Sequence, residues 1–166
     1  DIMLEDAIGR EWQLTTVQLD FTQPENFDLS YTGEDGKQHR PAVLHVAIFG
    51  SFERFMAILI EHFAGAFPLW LAPVQAVILP IAPAVHDVYA LEVATMLKAA
   101  GLRVELRNDN ESLGKRIRAA ELHKIPAMLV IGDTEVAERT VAIRWYGDKA
   151  QKVVSLDALV ETLRTK

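Results

Sequence analysis

A chain of 166 residues, 50% hydrophobic and 24% charged, is long enough to bury a real core and sits near the border between one domain and two. It contains no cysteine, which excludes a disulfide framework or a thiolate metal site built from this chain alone and fits a reducing compartment. The formal net charge of −6 argues against a protein that holds nucleic acid through a general electrostatic field.

Residues 12–21 alternate well enough for a long strand, with Trp12, Leu14, Val17, Leu19 and Phe21 as its apolar members. Thr16 and Gln18 face one side by the period of two, and Gln13 faces the other unless a bulge or twist intervenes. Turn chemistry follows over 24–36, with Gly33-Glu34-Asp35-Gly36 as a hairpin tip. A second long strand is predicted over 40–49; it carries His45, and a lone histidine on an apolar strand is usually structural. Gly50 lets a ligand approach the backbone, and Ser51 is suited to cap a helix running to Phe63. Its apolar positions Phe52, Phe55, Met56, Leu59, Ile60 and Phe63 have core-facing spacing. Arg54 stands in the first turn, where free amides and a cation suit a phosphate or an adenine face. The plainer alternative is a capped core helix with one exposed arginine. Long antiparallel strands followed by a helix suit the end of a large antiparallel sheet rather than a complete domain.

The composition changes at Ala72-Pro73. The most apolar stretch, 69–85, contains Gln75, Pro73, Pro80 and Pro83, which excludes a membrane span. From Gln75 the pattern becomes strand (76–81), helix (86–100, with Val88 or Tyr89, Val93, Met96 and Leu97 inward), strand (103–106), helix capped by Ser112 to about Lys124, and strand (126–131). Such alternation predicts a mainly parallel sheet with helices on its faces. Residues 136–146 read as an antiparallel addition, and Ser155 caps a last helix through Leu163. Between Arg103 and Lys124, six basic side chains stand against four acidic ones, a balance of +2 that suits an RNA-facing surface and a solvated helix face equally.

The string Gly50-Ser51-Phe52-Glu53-Arg54-Phe55, behind an apolar strand holding His45, resembles the third signature motif of class II aminoacyl-tRNA synthetases, and more narrowly that of the threonyl-tRNA synthetases. Gly9-Arg10-Glu11-Trp12-Gln13 with residues 16–21, Tyr31-Thr32-Gly33-Glu34-Asp35-Gly36 and residues 67–75 agree with that family in order and spacing, so the resemblance covers essentially the whole chain. It implies an α/β fold in two parts. Residues 1–72 are the end of a class II antiparallel catalytic sheet with its helix. Residues 73–166 are a mixed, mainly parallel α/β anticodon-binding domain.

By the same resemblance, Arg54 and Gln18 are the catalytic candidates, and Gln13, Thr16, Gln18, Ser51 and Arg54 line the ATP and threonine pocket. His45 matches one zinc ligand, whose companion cysteine and histidine lie before Asp1. Asn110, Arg118, Lys124, Glu135 and Arg144 match the tRNA anticodon contacts, and asparagine, arginine and glutamate can hydrogen-bond the edges of splayed bases. The family's cofactors are ATP with magnesium, and zinc. Its partners are tRNA(Thr), threonine and a second copy in a homodimer, with no membrane and no DNA, and its setting is the cytoplasm. The chain starts at Asp1 in mid-fold, so it is expected to be a piece of a longer protein, inactive alone and unable to hold zinc stably. Thr15 stands where the family often has glycine, Val46 and Lys124 where arginine is common. The departures at Thr15 and Val46 support an alternative, a non-catalytic synthetase-like paralogue serving as a tRNA-binding or regulatory module.

Overall fold

The structure is a computed structural model that describes residues 1–148 and 150–166. The chain divides into two compact units, Asp1–Ala64 and Gly65–Lys166.

Among the described residues, the first unit holds a three-stranded antiparallel sheet in the order β1 (Ile2–Glu5), β2 (Glu11–Asp20), β5 (Val43–Ala47). Between β2 and β5 come a short helix α1 (Thr22–Asn26) and a two-residue-strand hairpin, β3 (Tyr31–Thr32) and β4 (Gln38–His39). Asp20 starts α1 by accepting the Thr22 and Gln23 amides on Oδ1 at 2.8 and 3.0 Å. The hairpin tip falls where its sequence predicts, closed by the Gly36 amide on Gly33 O at 3.0 Å. Of the long strand predicted over 40–49 only β5, Val43–Ala47, forms; Pro41, which has no N–H to extend a ladder, stands before it. Helix α2 (Phe52–His62) follows, with Ser51 Oγ accepting the Arg54 amide at 3.2 Å.

In the second unit the described strands form one five-stranded sheet, ordered β10 (Gln151–Ser155), β9 (Thr140–Trp145), β8 (Ala127–Ile131), β6 (Ala76–Pro80), β7 (Val104–Leu106). β6 runs parallel to β7 and β8, while β9 and β10 are antiparallel additions. Helices α3 (Pro83–Ala99), α4 (Leu113–Leu122), α5 (Asp133–Glu138) and α6 (Leu156–Arg164) complete it. One sheet face packs Ile78, Leu129 and Ile143 against Leu97, Leu159 and Leu163; the other packs Val77, Leu79 and Met128 against Ala120. β6 and β8 are buried throughout, which is why they read as unbroken apolar runs. This is the mixed, mainly parallel α/β fold expected after an antiparallel sheet.

Several local readings change. α3 starts at Pro83, well before His86, because proline is preorganised for a first helical turn. Tyr89 is its inward residue, whereas Val88 is 84% exposed. Residues 133–138 form α5, not the start of a strand: Glu135 Oε2 accepts the Gly132 amide at 2.9 Å and closes the helix start, and Arg139, with φ +53°, turns the chain into β9. The units divide between Ala64 and Gly65, ahead of the composition change at 72–73. Segment 65–72 is tied into the second unit by Gln75 Nε2 donating to Leu69 O and by the Arg103 guanidinium donating to Trp70 O and Ala72 O. No helix among the described residues is long and apolar enough to cross a membrane.

Candidate functional site

In the first unit, β1 and β2 change register between Met3↔Gln13 and Ile2↔Thr15, leaving Leu14 as a bulge. The extra residue resets the alternation, so Gln13 joins the side of Thr16, and its Nε2 donates to Thr16 Oγ1 at 2.8 Å. The strict period-two reading put them on opposite sides; the bulge overturns it. Gln18 stands opposite His45 in the β2–β5 ladder, on the same face. Asp20, two residues on, accepts from His45 Nε2 at 3.1 Å. Gln13, Thr16, Gln18 and His45 therefore form one polar surface. The Gln23 amide lowers the Asp20 carboxyl from its ordinary range against some desolvation, with Thr22 and His45 adding to the effect.

Gly50 has φ +63°, and a Cβ there would meet the bulge carbonyl, Leu14 O, at 3.0 Å. The turn thus needs glycine both for its backbone angle and for its approach to β2. One turn later the Arg54 guanidinium lies 3.5 Å from Gln13 O and over the Trp12 ring, 5.7 Å from its centroid. It faces Trp12 rather than Gln18. Arg10 lies over the same ring at 5.5 Å. Asp6, its side chain 1% exposed, accepts from Trp12 Nε1 at 2.8 Å and from Arg10 Nε at 2.6 Å. Desolvation raises the Asp6 carboxyl, but these bonds and the amides of Arg10 and Ile8 outweigh it and hold it far below its usual value. Arg10, Trp12, Arg54 and Ile58 border a groove of about 680 Å³. The Asp6–Arg10–Trp12 network is absent from the sequence reading; its signal is the acidic Asp6 beside Gly9-Arg10-Glu11-Trp12. Of the departures, Thr15 is absorbed as a tie, its Oγ1 donating to Ile48 O at 2.7 Å.

Among the described residues no three His, Cys, Asp or Glu cluster as a metal site. His45 offers one imidazole, and its neighbour Asp20 bonds that ring, so these residues do not by themselves fit a zinc ion. A nucleotide fits better: Ser51 caps the α2 start, and Arg54 supplies a cation beside it.

In the second unit, Arg118 on α4 and Arg144 on β9 come together over one sheet face. Arg144 Nη2 donates to Glu121 Oε1 at 2.5 Å, while its Nε is buried without a partner among the described residues. Arg118, Glu121, Leu122, Tyr146 and Gly147 line a groove of about 410 Å³. Lys124, at φ +53°, leads into β8. Glu135 follows β8, and Asn110 follows the parallel β7. Five residues of strand, about 16 Å, therefore separate the Lys124 end from the end carrying Asn110 and Glu135. One Glu135 oxygen is already engaged in closing α5. Tyr146, Leu122 and Glu121 were not singled out from the sequence; Tyr146 carries a signal there, as it lies one alternation beyond Arg144.

A family model described as "tRNA synthetase class II core domain (G, H, P, S and T)" matches residues 1–63, and one described as "Anticodon binding domain" matches residues 75–166. Curated relatives include the threonine–tRNA ligases of Chlorobaculum tepidum, 56% identical over 163 residues, and of Anoxybacillus flavithermus, 50% identical over 163 residues. Each alignment takes in 98% of this chain and 25% of the relative, so the chain spans about a quarter of their length. Among solved structures, the RNA-binding domain of threonyl-tRNA synthetase from Cryptosporidium parvum Iowa II superposes with a TM-score of 0.89 at 36% identity, over 98% of this chain and 41% of that one.

Proposed function

The chain belongs to the threonyl branch of the class II aminoacyl-tRNA synthetases, and from that premise we propose that it serves within a threonine–tRNA ligase. The parent enzyme activates threonine with ATP and transfers it to tRNA(Thr), as a cytoplasmic homodimer. The second unit recognises the anticodon, with contacts to its loop from Asn110, Arg118, Lys124, Glu135 and Arg144. The first unit supplies part of the active site: Arg54 faces the adenine and triphosphate, Ser51 holds the helix start that presents it, and Gln13, Thr16 and Gln18 line the threonine and adenosine pocket. ATP with magnesium and zinc belong to the parent enzyme, to which His45 gives the zinc one imidazole. The observation that carries this reading is that one alignment with a threonine–tRNA ligase, 56% identical over 98% of the chain, takes in both units.

The chain by itself forms no threonyl-adenylate, because it spans about a quarter of the length of the threonine–tRNA ligases it matches. Threonine-dependent ATP–pyrophosphate exchange checks this. Background exchange is the expected result, and robust exchange by the purified chain overturns the assignment of roles.

A further inference from the structure

Arg144 is in β9 and Tyr146 lies just past its end, in the turn closed by the Asp148 amide on Trp145 O, while Trp145 between them packs into the opposite core. The Tyr146 amide donates to Pro126 O at 2.9 Å, so its backbone is held against the strand leading into β8 while 38% of the residue stays exposed. Facing it, the last turn of α4 presents Leu122, 70% exposed, and one turn earlier Arg118. The Arg118 guanidinium forms no hydrogen bond or ion pair with any described residue, unlike Arg144, which is tied to Glu121. An exposed ring, an aliphatic wall and an uncommitted cation thus surround one groove of about 410 Å³.

We infer that this groove is a receptor for one unstacked RNA base, stacked on Tyr146 against Leu122, with Arg118 on the adjoining phosphate. This inference rests on the anticodon reading and adds a stacking platform to its hydrogen-bonding residues. A flat apolar face joined to a negative charge is the ligand such a lining complements. Aromatic stacking is how proteins hold splayed bases whose edges other side chains read. The groove lies beside Arg144, so the stacked base is next to the one that Arg144 reads.

The test is the affinity of the purified chain for the threonine anticodon stem-loop, compared with an unrelated hairpin, for wild type, Tyr146→Phe and Tyr146→Leu. Stacking predicts that Tyr146→Phe stays within about twofold of wild type and that Tyr146→Leu binds about tenfold more weakly. Stem-loops made abasic at single loop positions then complete a cycle: at one position the Tyr146→Leu loss disappears, because the base it stacked is already gone. Tyr146→Leu binding the intact stem-loop as wild type does, or losing equally on every abasic RNA, overturns the inference while leaving the anticodon reading in place. Wild type binding both hairpins equally removes the anticodon reading, and this inference with it.

Discussion

Asp6 shows how a single buried carboxylate can organise a site it does not enter. It fixes the Trp12 indole and the Arg10 guanidinium, and Trp12 in turn carries Arg54. Its carboxyl lies below the ordinary value of 3.8 in the folded chain, so as pH falls the unfolded chain takes up the proton first. The stabilisation is therefore whole above about pH 4 and is lost as pH drops toward the folded value. Denaturant melts at pH 6 and pH 3 should show a smaller stability difference for Asp6→Asn than for wild type; an unchanged difference rules out this role. On the RNA side, Arg144→Ala should cost roughly 1–3 kcal/mol on the cognate stem-loop and relax discrimination at one base. Lys115→Ala, on the exposed side of α4 with only a 4.0 Å pairing to Glu111, should weaken all RNAs alike and lower the salt slope by about one ion. Equal losses for Arg144→Ala on matched and mismatched RNAs would leave Arg144 as no more than the partner of Glu121. Of these residues, the resemblance singles out Arg54 and Arg144 from the sequence. The pairing of Arg144 with Glu121 is not legible there, because 23 residues separate them and only the fold of α4 over β9 joins them.

The elements read best where a cap and a period agree. Ser51, Ser112 and Ser155 each accept an amide at a helix start, at 3.2, 3.4 and 3.3 Å, and each was visible as a serine before an apolar repeat. Replacing Ser155 by alanine should lower stability by about 1 kcal/mol, seen as a reduced thermal midpoint. The misread elements have physical reasons. α5 contains Thr134 and Val136, β-branched residues that favour a strand, and the Glu135 bond to the Gly132 amide closes its start as a helix. The Leu14 bulge leaves no mark in the alternation of residues 12–21; it exists because β1, itself unanticipated, pairs there out of step. Its tertiary counterpart is Gly50. Gly50→Ala should cost about 1–2 kcal/mol for the left-handed angle alone, and more because the new methyl meets Leu14 O. Urea melts of this variant, with threonine-enzyme kinetics in the full-length protein, would check both the strain and the position of Arg54. A variant as stable as wild type would mean that the turn relaxes freely.

At the scale of the whole molecule, the two-part organisation was visible in the switch from long alternating strands to βαβαβ alternation. The exact division was not, since segment 65–72 is apolar and carries no mark of a boundary, and it joins the second unit through side-chain hydrogen bonds from Gln75 and Arg103. The proposed division of labour follows the same line: a polar strand surface in one unit, the face carrying Arg118 and Arg144 in the other. With a net charge of −6, affinity for RNA must come from specific contacts and not from bulk attraction. The most direct measurement is therefore the affinity of the purified chain for the threonine anticodon stem-loop beside an otherwise identical stem-loop with its central anticodon base changed, at one fixed salt concentration. The account predicts binding at least about tenfold weaker for the changed loop, as a mismatched base contact costs 1–3 kcal/mol. Equal affinity for the two RNAs, or binding that follows only salt concentration, would contradict it.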